Sequence, residues 1–132
     1  MHARMAILTV TLLAMAGPAL ASWRPLAWKD QSTIELRTNC PDEGEHWSTV
    51  WLVVLDDQVY VRLGKRAAAR IACNATKPWL AARIDGQQFD HVLAVEAPDR
   101  AARVAEEMSK KYWLDVVVHY LDHPMTLRLS AE

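Results

Sequence analysis

The sequence predicts an α+β fold that consists mainly of antiparallel strands, and three observations support this prediction. Residues 33–38 and 58–63 alternate apolar and polar side chains, as strands with one buried face do. Asp-Asp at 56–57 and Asp-Gly at 85–86 each join two strand-like segments and have the character of tight hairpin turns. Only two segments have a helical pattern, and each of them separates one group of strands from the next.

Six strands are expected along the chain. They cover residues 33–38, 48–55, 58–63, 79–84, 88–96 and 125–129. The second strand is apolar, β-branched and aromatic on both faces, which is typical of a central strand that is covered on both sides. Residues 39–45 contain a proline, a glycine and several acids, so they are expected to form a loop.

Two segments are expected to be helices. Residues 65–74 are rich in alanine and stop before Pro78. Pro98 suits the first position of a second helix. The apolar stripe of that helix consists of Ala101, Val104, Ala105, Met108 and Tyr112. Residues 114–121 fit either a short helix or a strand.

The first 21 residues have the three-part layout of a secretory signal peptide. A basic start with Arg4 precedes an apolar run over residues 5–17, and Ala-Leu-Ala at 19–21 has the small residues of a cleavage site. The apolar run is shorter than the roughly 20 residues that span a bilayer. We therefore expect cleavage before Ser22 and a secreted or periplasmic protein without a membrane anchor. A buried N-terminal helix is the alternative interpretation.

The composition fits one domain over residues 22–132, because a chain of this length matches the commonest domain size. The whole chain has a net charge of −1, and removal of Arg4 with the signal segment makes it −2. A balance so close to neutral argues against nucleic acid or an anionic membrane surface as the main partner.

The chain has two cysteines, Cys40 and Cys73, and both lie in the part predicted to be exported. In an oxidising compartment, two cysteines most simply form one disulfide. Two free buried thiols are the alternative, whereas a CxxC redox pair is excluded by the spacing.

The order of several short motifs resembles that of the split β-barrel proteins, which include pyridoxamine-phosphate-oxidase-like flavoproteins and deazaflavin-dependent nitroreductases. The motifs lie at residues 50–71, 79–99, 110–113 (KKYW) and 126–129 (TLRL). The resemblance implies a small antiparallel split β-barrel of about six strands with two or three outer helices. It also implies a homodimer with ligand clefts at the subunit boundary. Strand 48–55 and the tryptophans at element ends also favour a dimer, because they give more apolar surface than two helices cover.

The best candidate site in the sequence is the basic turn VRLGKRAAAR at residues 61–70. Gly64 allows a close turn into a helix, and helix N-termini attract anions. The cationic side chains around this turn are Arg62, Lys65, Arg66 and Arg70. The resemblance implies that Arg62, Lys65 and Arg66 contact a cofactor phosphate. The alternative is a solvated basic face whose arginines pair with carboxylates, for example Arg62 with Glu35.

The sequence contains few other residues that indicate catalysis or metal binding. No Ser/His/Asp or Cys/His arrangement can be recognised in it, so catalytic residues remain unassigned. His119 and His123 have the spacing of a metal pair on a helix, but a further clear ligand is lacking and no metal site is predicted. His91 is expected on the same strand face as Phe89, in the core or a cleft. Asn74 begins an Asn-Ala-Thr glycosylation sequon.

The chain contains six tryptophans, most of which suit an ordinary core. Trp23 and Trp28 are expected in a loose N-terminal segment of the mature chain. The others lie near element ends, where aromatic side chains commonly line a cleft or a dimer seam.

Two functions from different classes are compatible with these features. The first is an exported domain that binds an anionic small molecule or a nucleotide-like cofactor without catalysis. The second is an oxidoreductase that holds FMN or a deazaflavin, whose ring carries the hydride. The export signal favours the first, because folded flavoproteins usually leave the cytosol by a twin-arginine route and this sequence lacks the twin arginines.

Overall fold

The computed structural model describes residues 22–112 and 124–132, together with Thr9. The strands are β1 (Thr33–Cys40), β2 (Gly44–Leu55), β3 (Gln58–Leu63), β4 (Trp79–Ile84), β5 (Gln87–Glu96) and β6 (Met125–Ser130). The helices are α1 (Lys65–Cys73) and α2 (Ala101–Lys111), with short 3₁₀ turns at Pro25–Trp28 and Pro98–Arg100. All strand pairs are antiparallel and close into a barrel in the order β1-β2-β3-β6-β5-β4. The predicted α+β class and the six-stranded antiparallel barrel are thus confirmed.

Local turn chemistry determines two of the hairpins. Asp56 and Asp57 join β2 to β3 with φ angles of 50° and 58°. Asp85 and Gly86 join β4 to β5 with φ angles of 51° and 71°. Two successive positive φ angles are the signature of a type I′ turn, whose twist matches that of the flanking strands. Both predicted turns are therefore confirmed.

The loop predicted at residues 39–45 is shorter than expected. β1 continues to Cys40 and β2 starts at Gly44, and these two residues pair with each other. The exposed side chains of Asn39 and Glu45 lie on the outer face of the ladder, whereas Cys40 is buried. The polar composition of this stretch therefore belongs to a solvated strand face, which composition alone does not distinguish from a loop.

One continuous core fills the barrel and receives apolar side chains from all six strands. Its buried members include Ile34, Leu36, Leu52, Val59, Val61, Leu63, Leu80, Ala82, Ile84, Val92, Leu127 and Leu129. These residues alternate with outward-facing ones along their strands, as the side-chain period of two requires.

An aromatic cluster of Trp23, Trp28 and Phe89 packs against this core. The three rings meet edge to face, with centroids 4.9 to 5.6 Å apart. Trp28 is only 2% exposed. The N-terminal segment is thus not loose around Trp28, and that expectation is wrong. The segment contains no strand or long helix, so the sequence pattern gives no sign that the barrel buries the Trp28 indole.

The helix α1 packs against the ends of β1 and β3. Ala68 belongs to the barrel core, and Ala67 and Ile71 pack against it. A disulfide joins Cys40 at the end of β1 to Cys73 at the end of α1, with Cα atoms 5.2 Å apart. The predicted disulfide is therefore confirmed. The chain-entropy model assigns a bond closing a loop of this length about 3–4 kcal/mol of stabilisation.

The helix α2 covers the outer face of β2 and β3. Val104 and Met108 pack there against Val53, Leu55 and Tyr60. The apolar outer face of β2 is thus buried within the chain. Among the described residues, the only large hydrophobic side chains that are exposed are those of Leu26 and Trp79. The outer face of β2, one of the two grounds on which the sequence favours a dimer, is therefore covered by α2, and the dimer itself stays a prediction.

The end of α2 is fixed to the sheet by two polar side chains of the KKYW motif. The Lys111 ammonium donates to the carbonyls of Gln31 and Leu52, and the Tyr112 hydroxyl lies 2.7 Å from the carbonyls of Leu52 and Ser32. Gln31 and Ser32 precede β1, so their carbonyls accept no hydrogen bond from a neighbouring strand of the described chain and are bonded by these side chains instead. Burial lowers the pKa of Lys111 and raises the pKa of Tyr112.

Within the part of the chain that the structure describes, no helix is long and apolar enough to cross a membrane. Residues 114–121, which fit a helix or a strand, lie outside the described residues. The same is true of Trp113, His119 and His123.

Replacing Trp28 with alanine is expected to lower the free energy of unfolding by about 3–5 kcal/mol, because a buried indole is lost and a cavity remains. Chemical denaturation of the disulfide-intact protein measures this change. Leu26→Ala, which truncates a 60% exposed side chain two residues away, is the control and should cost far less. Equal effects of the two substitutions would show that the N-terminal segment is not part of the cooperative fold.

Candidate functional site

The start of α1 carries positive charge and has no side-chain cap. Gly64 occupies the N-cap position, and no acidic residue lies in the first turn. The first intrahelical bond runs from the Ala68 N–H to the Gly64 carbonyl, so the N–H groups of residues 65–67 are not used within the helix. The side chains of Lys65 and Arg66 are exposed at this end. Their charges add to the partial positive charge of the helix terminus, which favours a bound anion.

Arg70 of the predicted basic turn is engaged elsewhere. Its Nε and Nη2 atoms donate to the two carboxylate oxygens of Glu43 at 2.9 and 3.2 Å. These hydrogen bonds hold the pKa of Glu43 below its usual range. The ion pair ties α1 to the turn between β1 and β2, next to the disulfide. Of the two interpretations of the basic turn, the structure favours carboxylate pairing for Arg70.

Arg62 precedes α1 closely in sequence but lies on the outer face of β3, between the inward-facing Val61 and Leu63. It is half-buried on β3, opposite Thr126 on β6, and its Nη1 atom is buried. Glu35, the partner suggested by the alternative interpretation, lies on β1, which does not neighbour β3. Its carboxylate is instead 3.8 Å from Arg83. The pairing of Arg62 with Glu35 is therefore wrong.

A second candidate site lies on the outer face of the barrel, where β5 contains a β-bulge. Leu80 pairs with Val92 and Ala82 pairs with Phe89, so both Asp90 and His91 lie opposite the single residue Ala81. The extra residue places Asp90 and His91 on the outer face, whereas Phe89 remains buried. The expectation that His91 shares a strand face with Phe89 is thus wrong, since simple alternation does not allow for a bulge.

The bulge brings His91 against Trp79 on the neighbouring strand. The two rings stack with centroids 3.7 Å apart and an interplanar angle of 11°. Trp79 keeps 37% of its surface exposed. It forms one side of a cleft of about 480 Å³, which Arg37, Asn39, Glu45, Ala81 and Asp90 also line.

A row of cationic and aromatic side chains continues from this cleft across the sheet. The guanidinium of Arg37 lies 5.5 Å from the centre of the Trp47 ring, and that of Arg83 lies 3.8 Å from it. Arg83 also donates to the Gln88 amide oxygen, and Gln88 donates to Asp90. These contacts position the polar groups at the rim of the cleft.

A second cleft, of about 620 Å³, borders the C-terminal end of α1. Among the described residues, its lining is mainly apolar and includes Ile71, Ala94 and Met125. Lys77 and Glu96 supply charged groups there, and the Lys77 ammonium donates to the carbonyl of Ala72. Apolar clefts with a few polar groups are common small-molecule sites.

Asn74 lies between the last two clefts and lines both of them. It is 3% exposed. Its Oδ1 accepts from the backbone N–H of Asn39 at 3.0 Å, and its Nδ2 donates to the carbonyl of Trp79 at 2.9 Å. One buried amide therefore joins the end of β1 to the start of β4. The sequence marks Asn74 only as a possible glycan acceptor.

Comparisons with known proteins assign no role to these candidate sites. No protein-family model matches the chain, and no curated protein is significantly similar to it. Within the described ranges, no three His, Cys, Asp or Glu side chains are grouped so that they could hold a metal ion. The candidate sites thus depend on their own geometry.

Asn74→Ala is expected to destabilise the protein by about 1–3 kcal/mol, because it leaves the part-buried N–H of Asn39 without its acceptor and removes one of the two donors to the Trp79 carbonyl, the other being the Thr76 hydroxyl. Asn39→Ala is the matched control, since the side chain of Asn39 is exposed and makes no hydrogen bond to another described residue. Thermal unfolding of both variants measures the difference. A melting temperature of Asn74→Ala equal to that of the control would contradict the structural role of this amide.

Proposed function

We propose that this chain is a small exported domain that binds an anionic small molecule at the start of α1. The observation that carries the proposal is the open, positively charged first turn of that helix. Gly64 has no side chain to cap it, and Lys65 and Arg66 follow directly as exposed cations. A phosphate or carboxylate placed there would accept from backbone N–H groups and from both side chains.

The surroundings of this turn support the same role. Arg70 is neutralised by Glu43, so it would not contribute to the binding of an anion. Arg62 lies two residues before Gly64, on β3, and adds a half-buried positive charge to this part of the chain. We therefore assign direct contact to Lys65 and Arg66, and a supporting electrostatic role to Arg62.

Export to the periplasm or the exterior is part of the proposal. The layout of residues 1–21 supports it. The Cys40–Cys73 disulfide is compatible with an oxidising compartment. A homodimer, in which a second copy completes the binding cleft, is the association that we propose on the basis of the split-barrel resemblance.

A second candidate function is a flavin- or deazaflavin-dependent oxidoreductase. The six-stranded antiparallel barrel is compatible with the resemblance, and an apolar cleft of about 620 Å³ borders the C-terminal end of α1, the helix whose start is the proposed phosphate site. Lys65 and Arg66 would hold the cofactor phosphate, and the apolar lining would receive the ring. When bound, such a cofactor supplies the hydride chemistry, whereas the protein orients it and excludes water.

The anion proposal predicts that Lys65→Ala/Arg66→Ala binds inorganic pyrophosphate about tenfold or more weakly than the unaltered protein, since charge-assisted hydrogen bonds are lost. Isothermal titration calorimetry measures the affinity. Arg103→Ala, which removes an exposed cation from α2, is the control and should bind normally. Absent binding by the unaltered protein, or equal binding by the double variant, would overturn the proposal. The melting temperature of each variant is measured alongside, so that a loss of binding is separated from a loss of stability.

The second candidate predicts that the purified protein either carries a flavin absorbance or takes up FMN with quenching of its tryptophan fluorescence. The absorption spectrum and an FMN titration test this, and Lys65→Ala/Arg66→Ala should weaken the uptake. A colourless protein whose fluorescence does not respond to FMN would exclude FMN as the cofactor. It would leave the pyrophosphate result unaffected, so the two functions are tested separately.

A further inference from the structure

We propose that the cleft beside the β-bulge is a second ligand site, independent of the start of α1, and that it binds a neutral sugar ring. The observation that supports this inference is a cleft in which an exposed indole, a small residue at the base, and both cationic and anionic side chains lie together. Trp79, Ala81 and the bulge residues Asp90 and His91 form its centre.

Trp79 provides a stacking platform. One face of its indole is covered by His91, with the rings 3.7 Å apart, so the orientation of the indole is fixed by a contact within the protein. The side chain nevertheless keeps 37% of its surface exposed. An aromatic face held in this way suits a ligand whose ring presents an apolar surface, such as the C–H face of a hexopyranose.

Ala81 lies at the base of the cleft beside this platform, where a larger side chain would project into the cleft. It faces outward from β4, yet it is only 1% exposed because larger side chains surround it. Arg37 pairs with it on β1, and Asp90 and His91 lie opposite on β5. The cleft has a volume of about 480 Å³, which lies within the usual range for small-molecule sites.

The polar groups around the hollow have hydrogen-bonding capacity that the described part of the chain leaves unused. No hydrogen bond or ion pair to another described residue engages the side chains of Arg37, Asn39 or Glu45. Asp90 accepts one bond from Gln88 through Oδ1. The cleft therefore offers carboxylate acceptors, guanidinium donors and an amide that provides both.

The mixture of charges selects the class of ligand. An anion would be repelled by Glu45 and Asp90, whereas a simple cation would leave the guanidinium donors of Arg37 without an acceptor. A hydroxyl group donates to a carboxylate and accepts from a guanidinium, so a neutral polyol satisfies both kinds of partner. A nucleobase would also stack on Trp79, but its fixed edge would match fewer of these groups. A neutral pyranose ring is thus the ligand that the cleft fits best.

The test is a ¹H–¹⁵N NMR titration of the full mature protein, in which the backbone amides of Ala81 and His91 are followed. The probes are the methyl glycosides of glucose, galactose, mannose and N-acetylglucosamine, with adenosine and inorganic phosphate as comparisons. We expect a saturable shift of these amides with at least one glycoside. Trp79→Ala and Ala81→Leu should weaken that binding about tenfold or more, whereas Trp79→Phe, which keeps an aromatic platform, should retain it.

Leu26→Ala controls for the loss of an exposed hydrophobic side chain, and Ala102→Leu controls for the enlargement of an alanine that lies on α2. The site is overturned if no glycoside saturates these amides in the unaltered protein, or if Ala81→Leu binds as tightly as it does. A saturable shift of these amides with adenosine or phosphate alone also overturns it. The pyrophosphate experiment at Lys65 and Arg66 uses other residues, so either proposal can fail without the other.

Discussion

The barrel closes through a short seam between β1 and β4, and the rest of the structure depends on it. Only three residue pairs form this ladder, between residues 35–37 of β1 and 81–83 of β4. Two further hydrogen bonds extend this seam beyond the end of the β1–β4 ladder. The backbone N–H of Asn39 donates to the Asn74 side chain, and the Asn39 carbonyl accepts from the backbone N–H of Ala75. The disulfide follows one residue further on. A ladder of three pairs between distant parts of the chain contributes little stability by itself, because bringing them together costs chain entropy. The adjoining hydrogen bonds and the disulfide therefore help to hold the barrel closed.

The seam also determines where the candidate sites lie. Arg37 and Ala81 belong to the same cross-strand pair, so the cleft on the outer face lies directly over the closure. The segment that lengthens the seam follows directly after α1, and the disulfide and the Glu43–Arg70 pair hold that helix against β1. The charged start of α1 is thus fixed relative to the barrel. Two chemically different surfaces are positioned by the same few contacts.

Features encoded by neighbouring residues could be predicted from the sequence. The hairpins at Asp56-Asp57 and Asp85-Gly86 were predictable because the backbone geometry of each turn is a local property of two residues. The basic turn at residues 61–70 could be recognised for the same reason, since its cations lie close together in the sequence. The six strands were predictable from the local alternation and turn residues, and the split-barrel resemblance implied that they close into a barrel; the structure has both.

Features that depend on distant contacts could not be predicted. Trp28 is buried by a barrel whose strands lie elsewhere in the chain, and its own neighbours give no periodic signal. The outer cleft combines residues of β1, β2, β4 and β5, so no motif marks it. Its shape further depends on one unpaired residue in β5, which reverses the faces that alternation assigns. Arg70 was placed with the other cations because Glu43, its partner, is distant in sequence.

The burial of Asn74 has a consequence for how this protein can be produced. Asn74-Ala75-Thr76 is an acceptor sequence for oligosaccharyl transfer, which acts on chains as they enter the secretory pathway of eukaryotic cells. A glycan on the side-chain nitrogen would have no path to solvent from a residue that is 3% exposed. Such a modification would trap the chain before the barrel closes. A bacterial expression host, or a Thr76 substitution that removes the acceptor, avoids this competition between modification and folding.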